Sequence, residues 1–190
     1  PFPTEAQVNP SLCGSCGICV GSCPSSTPCR RSQELKPGID LPDYSLQRLR
    51  ELTVETAGSI RGTKTRILVF ACEHGGGAGH LTGVVRLPCV AMIPPSMIDF
   101  VLSKRLSDGV IVAGCAESAC FNRLGIAWTE QRFAGKRDPY LRTRVPRNRV
   151  KTIWASSLET MRFEREFAAF TEQVAAIPKV ASMPLPRTIT

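Results

Sequence analysis

Residues Asp108–Cys120, DGVIVAGCAESAC, contain a short apolar run that ends at a cysteine, and a second cysteine follows five positions later. An apolar run of this length between turn residues predicts a buried strand. Three further stretches have the same character and also predict strands. They are RILVFAC (66–72), GVVRLPCVAM (83–92) and RVKTIWAS (149–156).

Helical patterns alternate with these strands. Asp43 is expected to cap the first helix, and Ser96 and Asp99 have the spacing of a capping box at the start of the second. Such alternation predicts an α/β fold with a small, mostly parallel sheet and flanking helices. The helical stretches are residues 41–63, 96–106, 118–133 and 158–177.

Four cysteines lie at or just beyond the carboxyl ends of predicted strands. In an open α/β sheet these ends converge on one crevice, so the four thiols are expected to form one metal site. The alternative is that they are small buried hydrophobic residues, as free cysteines often are. The four residues are Cys72, Cys89, Cys115 and Cys120.

A second group of cysteines lies near the amino end, in CGSCGICVGSCP (13–24). The run C-x2-C-x2-C-x3-C-P is the signature of bacterial ferredoxins, and Cys13, Cys16 and Cys19 have the spacing to bind three irons of a [4Fe–4S] cluster. In two-cluster ferredoxins the fourth cysteine, here Cys23, binds the other cluster. The fourth ligand is therefore Cys23, Cys29 or a residue upstream of Pro1. Zinc fits this spacing poorly.

These patterns divide the chain into four parts, with a short ferredoxin-like iron–sulfur segment before the α/β fold. The parts are residues 1–40, the ferredoxin-like segment; 41–63, a helix and linker; 64–178, the α/β domain; and 179–190, a tail.

The nine cysteines of the 190-residue chain do not match a small disulfide scaffold, which favours a reducing compartment, the cytoplasm. No uncharged apolar stretch is long enough to cross a membrane, and there is no secretory signal. The chain begins with Pro1 rather than Met, so we expect a processed protein or part of a longer one. Whether upstream residues would then add a further cluster or a membrane segment stays open.

The net charge is +8, and basic residues are concentrated between positions 132 and 151, the basic segment. It predicts docking to an acidic redox partner or to an anionic membrane surface, with a solvated loop as the alternative. Nucleic acid is not expected, because recognition motifs and stacking aromatic residues are lacking. The basic residues are Arg132, Lys136, Arg137, Arg142, Arg144, Arg147, Arg149 and Lys151.

The stretch HGGGAGH (74–80) fails the spacing of dinucleotide-binding and P-loop motifs. We expect its glycines to let the backbone approach a cluster, and we expect His74 and His80 to be loop residues rather than ligands.

Four stretches resemble the delta subunit family of methyl-viologen-reducing hydrogenases, which is also found fused to the flavoprotein subunit of heterodisulfide reductase. The resemblance covers roughly residues 64–178. It implies a [2Fe–2S] cluster whose ligands are, by position, the four strand-end cysteines. The stretches are ILVFACEHGGGAGH, VVRLPCV, DGVIVAGCAESACFNRLG and RVKTIWASSLETMRFEREFAAFTEQV.

Two departures from the family pattern are visible. The family commonly has another cysteine soon after the first, and CEHGGGAGH has none; Phe121–Asn122 replaces a His–Tyr pair. Four thiolates remain, so the cluster assignment does not depend on either departure.

The sequence thus predicts an electron-transfer subunit of an oxidoreductase complex, without independent catalysis. The resemblance implies redox partners such as a hydrogenase or a flavoprotein subunit, and the basic segment adds a b-type cytochrome subunit at the cytoplasmic face of the inner membrane. The alternative is a zinc-stabilised module that binds nucleic acid.

Overall fold

A computed structural model describes residues 6–28 and 37–178 of the chain. Its centre is a four-stranded sheet in which every neighbouring pair of strands is parallel and the order is β2-β1-β3-β4. The predicted α/β class is confirmed. The strands are β1 (Ile67–Cys72), β2 (Val84–Leu87), β3 (Gly109–Gly114) and β4 (Val150–Trp154).

Five α-helices accompany the sheet in the described residues, together with short 3-10 turns. The turn Val90–Met92 is called the junction turn below, because it touches both cysteine groups. The helices are α1 (Ile18–Ser22), α2 (Leu46–Ser59), α3 (Pro95–Ser103), α4 (Gly125–Phe133) and α5 (Thr160–Ala176).

The two central strands, β1 and β3, are buried at every position, which explains their unbroken apolar sequences. Successive side chains of β1 alternate between two hydrophobic clusters. Ile67 and Val69 face α5, where Phe163 is fully buried, whereas Leu68 and Phe70 face α2 and α3. Helices therefore cover both faces of the sheet.

The ferredoxin-like segment packs onto the same core. Val20 of α1 is fully buried in the cluster that contains Leu68 and Phe70. Further along, Ala6 pairs with Ile39, and the Ala6 amide donates to the Gly38 carbonyl oxygen (2.7 Å). The boundary at residue 40 stays a prediction, and the predicted tail, residues 179–190, lies outside the described residues.

Two predicted elements end differently in the structure. The strand predicted at 83–92 stops at Leu87, because Pro88 has no N–H to donate to a neighbouring strand. The helix predicted at 118–133 begins only at Gly125; Arg123 before it adopts a φ of 55°, a left-handed conformation that a helix does not continue through.

Both predicted helix caps are wrong. The hydroxyl of Ser45, not Asp43, accepts the amide N–H of Arg48 at the start of α2 (3.1 Å). The capping box of α3 does not form, because the Ser96 hydroxyl donates to the carbonyl oxygen of Ser26 (2.8 Å). At α3 a long-range partner outcompetes the local bond that sequence spacing suggests, whereas at α2 a nearer residue provides the cap.

The basic segment is largely tied to the rest of the chain. Arg144 forms a close ion pair with the buried carboxylate of Asp99, the other half of the predicted capping box. Arg149 donates to the carbonyl oxygen of Asp108 (2.8 Å), and Lys151 pairs with Glu166 (3.2 Å). Three of the basic side chains that the sequence assigns to a docking surface thus have partners within the chain.

We predict that Phe170→Ala lowers the free energy of unfolding by about 3–5 kcal/mol, the usual cost of truncating a buried phenylalanine. Phe170 is 3% exposed on the sheet side of α5. Phe167→Ala, at a partly buried position of the same helix, is the control and should cost clearly less. Urea unfolding of the intact protein, followed by circular dichroism, measures both; equal losses would contradict this account of the core.

Candidate metal centres

The strand order brings the carboxyl ends of β2, β1 and β3 next to one another. Cys72 is the last residue of β1, Cys115 follows β3, and Cys89 lies two positions after β2. Cys120 reaches the same place after a 3-10 turn, Glu117–Ala119. We call these four the sheet-edge thiols; their meeting at one edge follows from parallel pairing, since all strands end on the same side.

Cys72 and Cys115 form the first pair of sheet-edge thiols, with 3.8 Å between their sulfur atoms. Both side chains are buried. Two thiolates bound to one tetrahedral metal at about 2.3 Å lie about 3.8 Å apart. The pair is therefore spaced as two ligands of one tetrahedral metal ion.

Cys89 and Cys120 form the second pair, and they meet over Gly125 at the start of α4. A methyl carbon built on Gly125 would lie 2.5 Å from the sulfur of Cys89 and 3.4 Å from that of Cys120. Any other residue at this position would press on the thiols. Glycine at the first position of α4 is the sequence feature that leaves them room.

Two of the sheet-edge thiols, Cys72 and Cys89, are costly to ionise in the absence of a cation. Burial raises the pKa of Cys72 to about 12, and the neighbouring thiols of Cys115 and Cys89 add to the rise. Burial also raises the pKa of Cys89, with Cys120 and Cys16 contributing. A metal binds cysteine in its thiolate form. The positive charge of iron would therefore offset the cost of ionising these thiols. The donor set fits a cluster of tetrahedral irons.

The residues that depart from the family pattern both lie at this edge. Phe121 stacks on His74, with ring centroids 3.8 Å apart, and the side chain of Asn122 hydrogen-bonds to Cys89, which offsets part of the rise in its pKa caused by burial. His80 instead pairs with Glu164 of α5 (3.3 Å). These contacts occupy both histidines, and the expectation that neither is a ligand stays a prediction.

Two glycines of the loop after β1, Gly76 and Gly77, allow close packing on other parts of the chain, and the expected approach of this loop to a cluster stays a prediction. A methyl group on Gly76 would overlap the carbonyl oxygen of Ser156, and one on Gly77 would overlap Phe163. The sulfur of Cys72 instead receives a hydrogen bond from the backbone of His74, which offsets part of the rise in its pKa caused by burial.

The N-terminal thiols, Cys13, Cys16 and Cys19, form the second site. Burial raises the pKa of Cys19, and the charges of Cys16 and Cys13 raise it further, so the three lie close together. The amide of Ser15 donates to the sulfur of Cys13 (3.3 Å). Amide donors to sulfur are a feature of cluster-binding loops.

Cys23 has different neighbours from the N-terminal thiols. Burial raises its pKa, but hydrogen bonds from Ser25, from the Gly38 backbone and from Ser26 outweigh burial and lower the pKa overall. Its sulfur is 3.1 Å from the Ser25 hydroxyl. Cys29, the other predicted fourth ligand, lies outside the described residues.

The two thiol sites adjoin at the junction turn. A charge on Cys16 raises the pKa of Cys89, so the sites are within electrostatic reach of each other. Met92, which is fully buried, packs so closely on Gly17 that a methyl group there would lie 2.6 Å from its Cγ. Gly17 also has a φ of 70°, which few other residues adopt.

Within residues 6–28 and 37–178, no three His, Cys, Asp or Glu side chains surround one ion-sized point. The four sheet-edge thiols, which the sequence predicts to form one metal site, therefore do not surround a single ion-sized point.

We predict that Gly125→Ala prevents the sheet-edge site from holding iron. This loss is expected although alanine is more favourable than glycine in a helix by up to about 1 kcal/mol. The added methyl would collide with Cys89. Gly58→Ala in α2 is the matched control, since it has open space around it and should only stabilise. Iron content per chain and the visible spectrum of anaerobically purified protein measure the effect; an unchanged iron content in Gly125→Ala would contradict the geometry.

Comparison with known families agrees with this geometry. The family described as methyl-viologen-reducing hydrogenase, delta subunit, matches residues 67–177, and the 4Fe-4S binding domain matches residues 6–27. No curated protein sequence matches the chain at a significant level. Among the described residues, no helix has the length and apolar character to cross a bilayer. The chain belongs to the delta subunit family of methyl-viologen-reducing hydrogenases and carries a 4Fe–4S binding motif ahead of the family domain.

Proposed function

We propose that this chain is a two-cluster electron-transfer subunit of a larger redox complex. The N-terminal thiols would hold a [4Fe–4S] cluster and the sheet-edge thiols a [2Fe–2S] cluster. When bound, such clusters accept and release single electrons at potentials between about −700 and +450 mV. The observation that carries the proposal is the close packing of Gly17 and Gly21, beside the N-terminal thiols, against the junction turn, which directly follows Cys89 of the sheet-edge site.

The pairing of the sheet-edge thiols supports a specific assignment of ligands. Cys72 and Cys115, whose sulfur atoms are 3.8 Å apart, would share one iron. Cys89 and Cys120, which converge over Gly125, would share the other. Each iron would thus receive two thiolates, as a four-cysteine [2Fe–2S] site requires.

The N-terminal site needs one ligand besides Cys13, Cys16 and Cys19. Cys23, Cys29 and a residue of a longer chain all stay open as that ligand. The serine hydroxyls and the Gly38 amide around Cys23 stabilise a thiolate there. Cys23 is therefore prepared to bind metal, whether in this cluster or, as in two-cluster ferredoxins, in another.

The chain itself places and shields the two sites. Met92 and Ala91 of the junction turn are fully buried between them, so the space that separates the sites is filled by protein. Water is excluded there, and the distance between the sites is set by the packing of α1 on the junction turn. We assign no bond-making chemistry to any residue of the chain.

Exposed apolar residues beside each site suggest where partner subunits approach. Leu12, next to Cys13, is 85% exposed, and Phe121, next to Cys120, is 67% exposed. We propose that a hydrogenase, flavoprotein or b-type cytochrome subunit covers these residues. Binding of the basic segment to an anionic membrane stays a hypothesis, because Arg132, Arg144 and Arg149 bond within the chain.

We predict that Cys115→Ser removes the paramagnetic signal of the sheet-edge cluster and leaves that of the N-terminal cluster. The reason is that serine withdraws one thiolate from the Cys72–Cys115 pair, whereas α1 and its thiols are untouched. Cys16→Ser is the reciprocal variant and should remove only the other signal. Electron paramagnetic resonance of dithionite-reduced protein separates the two, and loss of both signals in each variant would refute two independent sites.

Iron and acid-labile sulfide measured on anaerobically prepared wild-type protein test the proposal as a whole. We expect both elements, a brown colour and bleaching by dithionite. A colourless protein that contains zinc and no labile sulfide would instead support the zinc-stabilised alternative.

A further inference from the structure

Arg132 is the largest fully buried side chain of the described residues, at 1% exposure, although the sequence places it in the basic segment. It lies in the last turn of α4. Its Nη1 donates to the carbonyl oxygen of Ala91 (2.9 Å), and its Nη2 donates to the Ser22 hydroxyl in a short hydrogen bond. Its Nε is buried and has no hydrogen-bond partner among the described residues.

The positive charge of Arg132 is not balanced by a carboxylate in the described part of the chain. The ion pairs there join other residues, and both acceptors of Arg132 are uncharged oxygens. Burial lowers the pKa of Arg132 to about 10, and Arg137 adds to the fall, so the guanidinium is still charged at neutral pH. A buried, uncompensated cation is costly, and proteins keep one only where an anion offsets it.

Arg132 lies where the two thiol sites adjoin, a place that we call the seam. Ala91 belongs to the junction turn, two positions after Cys89, and Ser22 ends α1, which follows directly on the N-terminal thiols. A methyl group on Gly21 would overlap the Ala91 carbonyl oxygen and lie 3.0 Å from Nη1 of Arg132. A negative charge on Cys89 raises the pKa of Arg132, whereas burial lowers it, because the thiolate favours the charged guanidinium.

We infer that Arg132 is the internal counter-charge of the two iron–sulfur sites, placed at their seam to raise their reduction potentials. The inference rests on the proposed function, because it requires clusters at the two thiol sites. Thiolate-bound clusters carry net negative charge, and reduction by an external donor adds a further electron to them. A fixed cation therefore stabilises the reduced form more than the oxidised form, and net charge near a cluster is one of the known determinants of its potential. Because the seam is buried, the attraction between the guanidinium and a negatively charged cluster is stronger there than it would be in water.

The test compares midpoint potentials in the full chain. Arg132→Gln removes the charge and keeps hydrogen-bonding capacity, whereas Arg132→Lys keeps the charge. Lys136→Gln is the control, because it removes one positive charge from an exposed position four residues away. Each protein is purified without oxygen, its iron and sulfide are measured, and it is titrated with dithionite while the resonance signals of both clusters are recorded.

We expect Arg132→Gln to shift the midpoint potential of at least the sheet-edge cluster to more negative values. The midpoint potential of Arg132→Lys should stay nearer that of the wild type. Lys136→Gln should leave the midpoint potential unchanged. Equal potentials in Arg132→Gln and Lys136→Gln would overturn the inference. If Arg132→Gln does not retain clusters, retention by Arg132→Lys supports a need for charge, and equal loss in both overturns it. Wild-type protein without iron and sulfide would refute the proposed function itself before any variant is compared.

Discussion

The close packing of α1 against the junction turn is the constraint on which the rest of the arrangement depends. Gly17 and Gly21 allow it, because a side chain on either would collide with Met92 or with the Ala91 carbonyl. As a result, a charge on Cys16 raises the pKa of Cys89, although the two cysteines are far apart in the sequence. A looser junction would leave two separate sites, each able to bind metal but poorly placed for exchange of electrons.

The sheet and the grouping of its cysteines could be predicted because both follow from local sequence. The apolar runs of β1 and β3 predict buried strands, and parallel strands end on one side of a sheet. Cys72 and Cys115 therefore had to approach each other once the strands paired. Their division into two pairs was not predictable, since it depends on the 3-10 turn before Cys120 and on the space above Gly125.

The role of Arg132 could not be predicted, and the reason is physical. Its partners Ala91 and Ser22 lie 41 and 110 positions away along the chain, so no local pattern distinguishes it from its basic neighbours. Counting charge in a segment treats every arginine as exposed. Here one is buried and others are held by Asp99 or by backbone carbonyls, so part of the segment belongs to the framework, and its docking to a partner stays a prediction.

Helix α4 begins at Gly125, directly beneath the sulfur atoms of Cys89 and Cys120. The first turn of a helix has amide groups without internal acceptors, and the aligned peptide dipoles give that end a partial positive charge of about one half. The nine-residue helix α4 thus points the positive end of its dipole at the sheet-edge thiols. Its last turn carries the guanidinium of Arg132 into the same neighbourhood. Any shift of this helix along its axis would alter both fields together, so one displacement would change the electrostatic potential at the sheet-edge thiols in two ways at once.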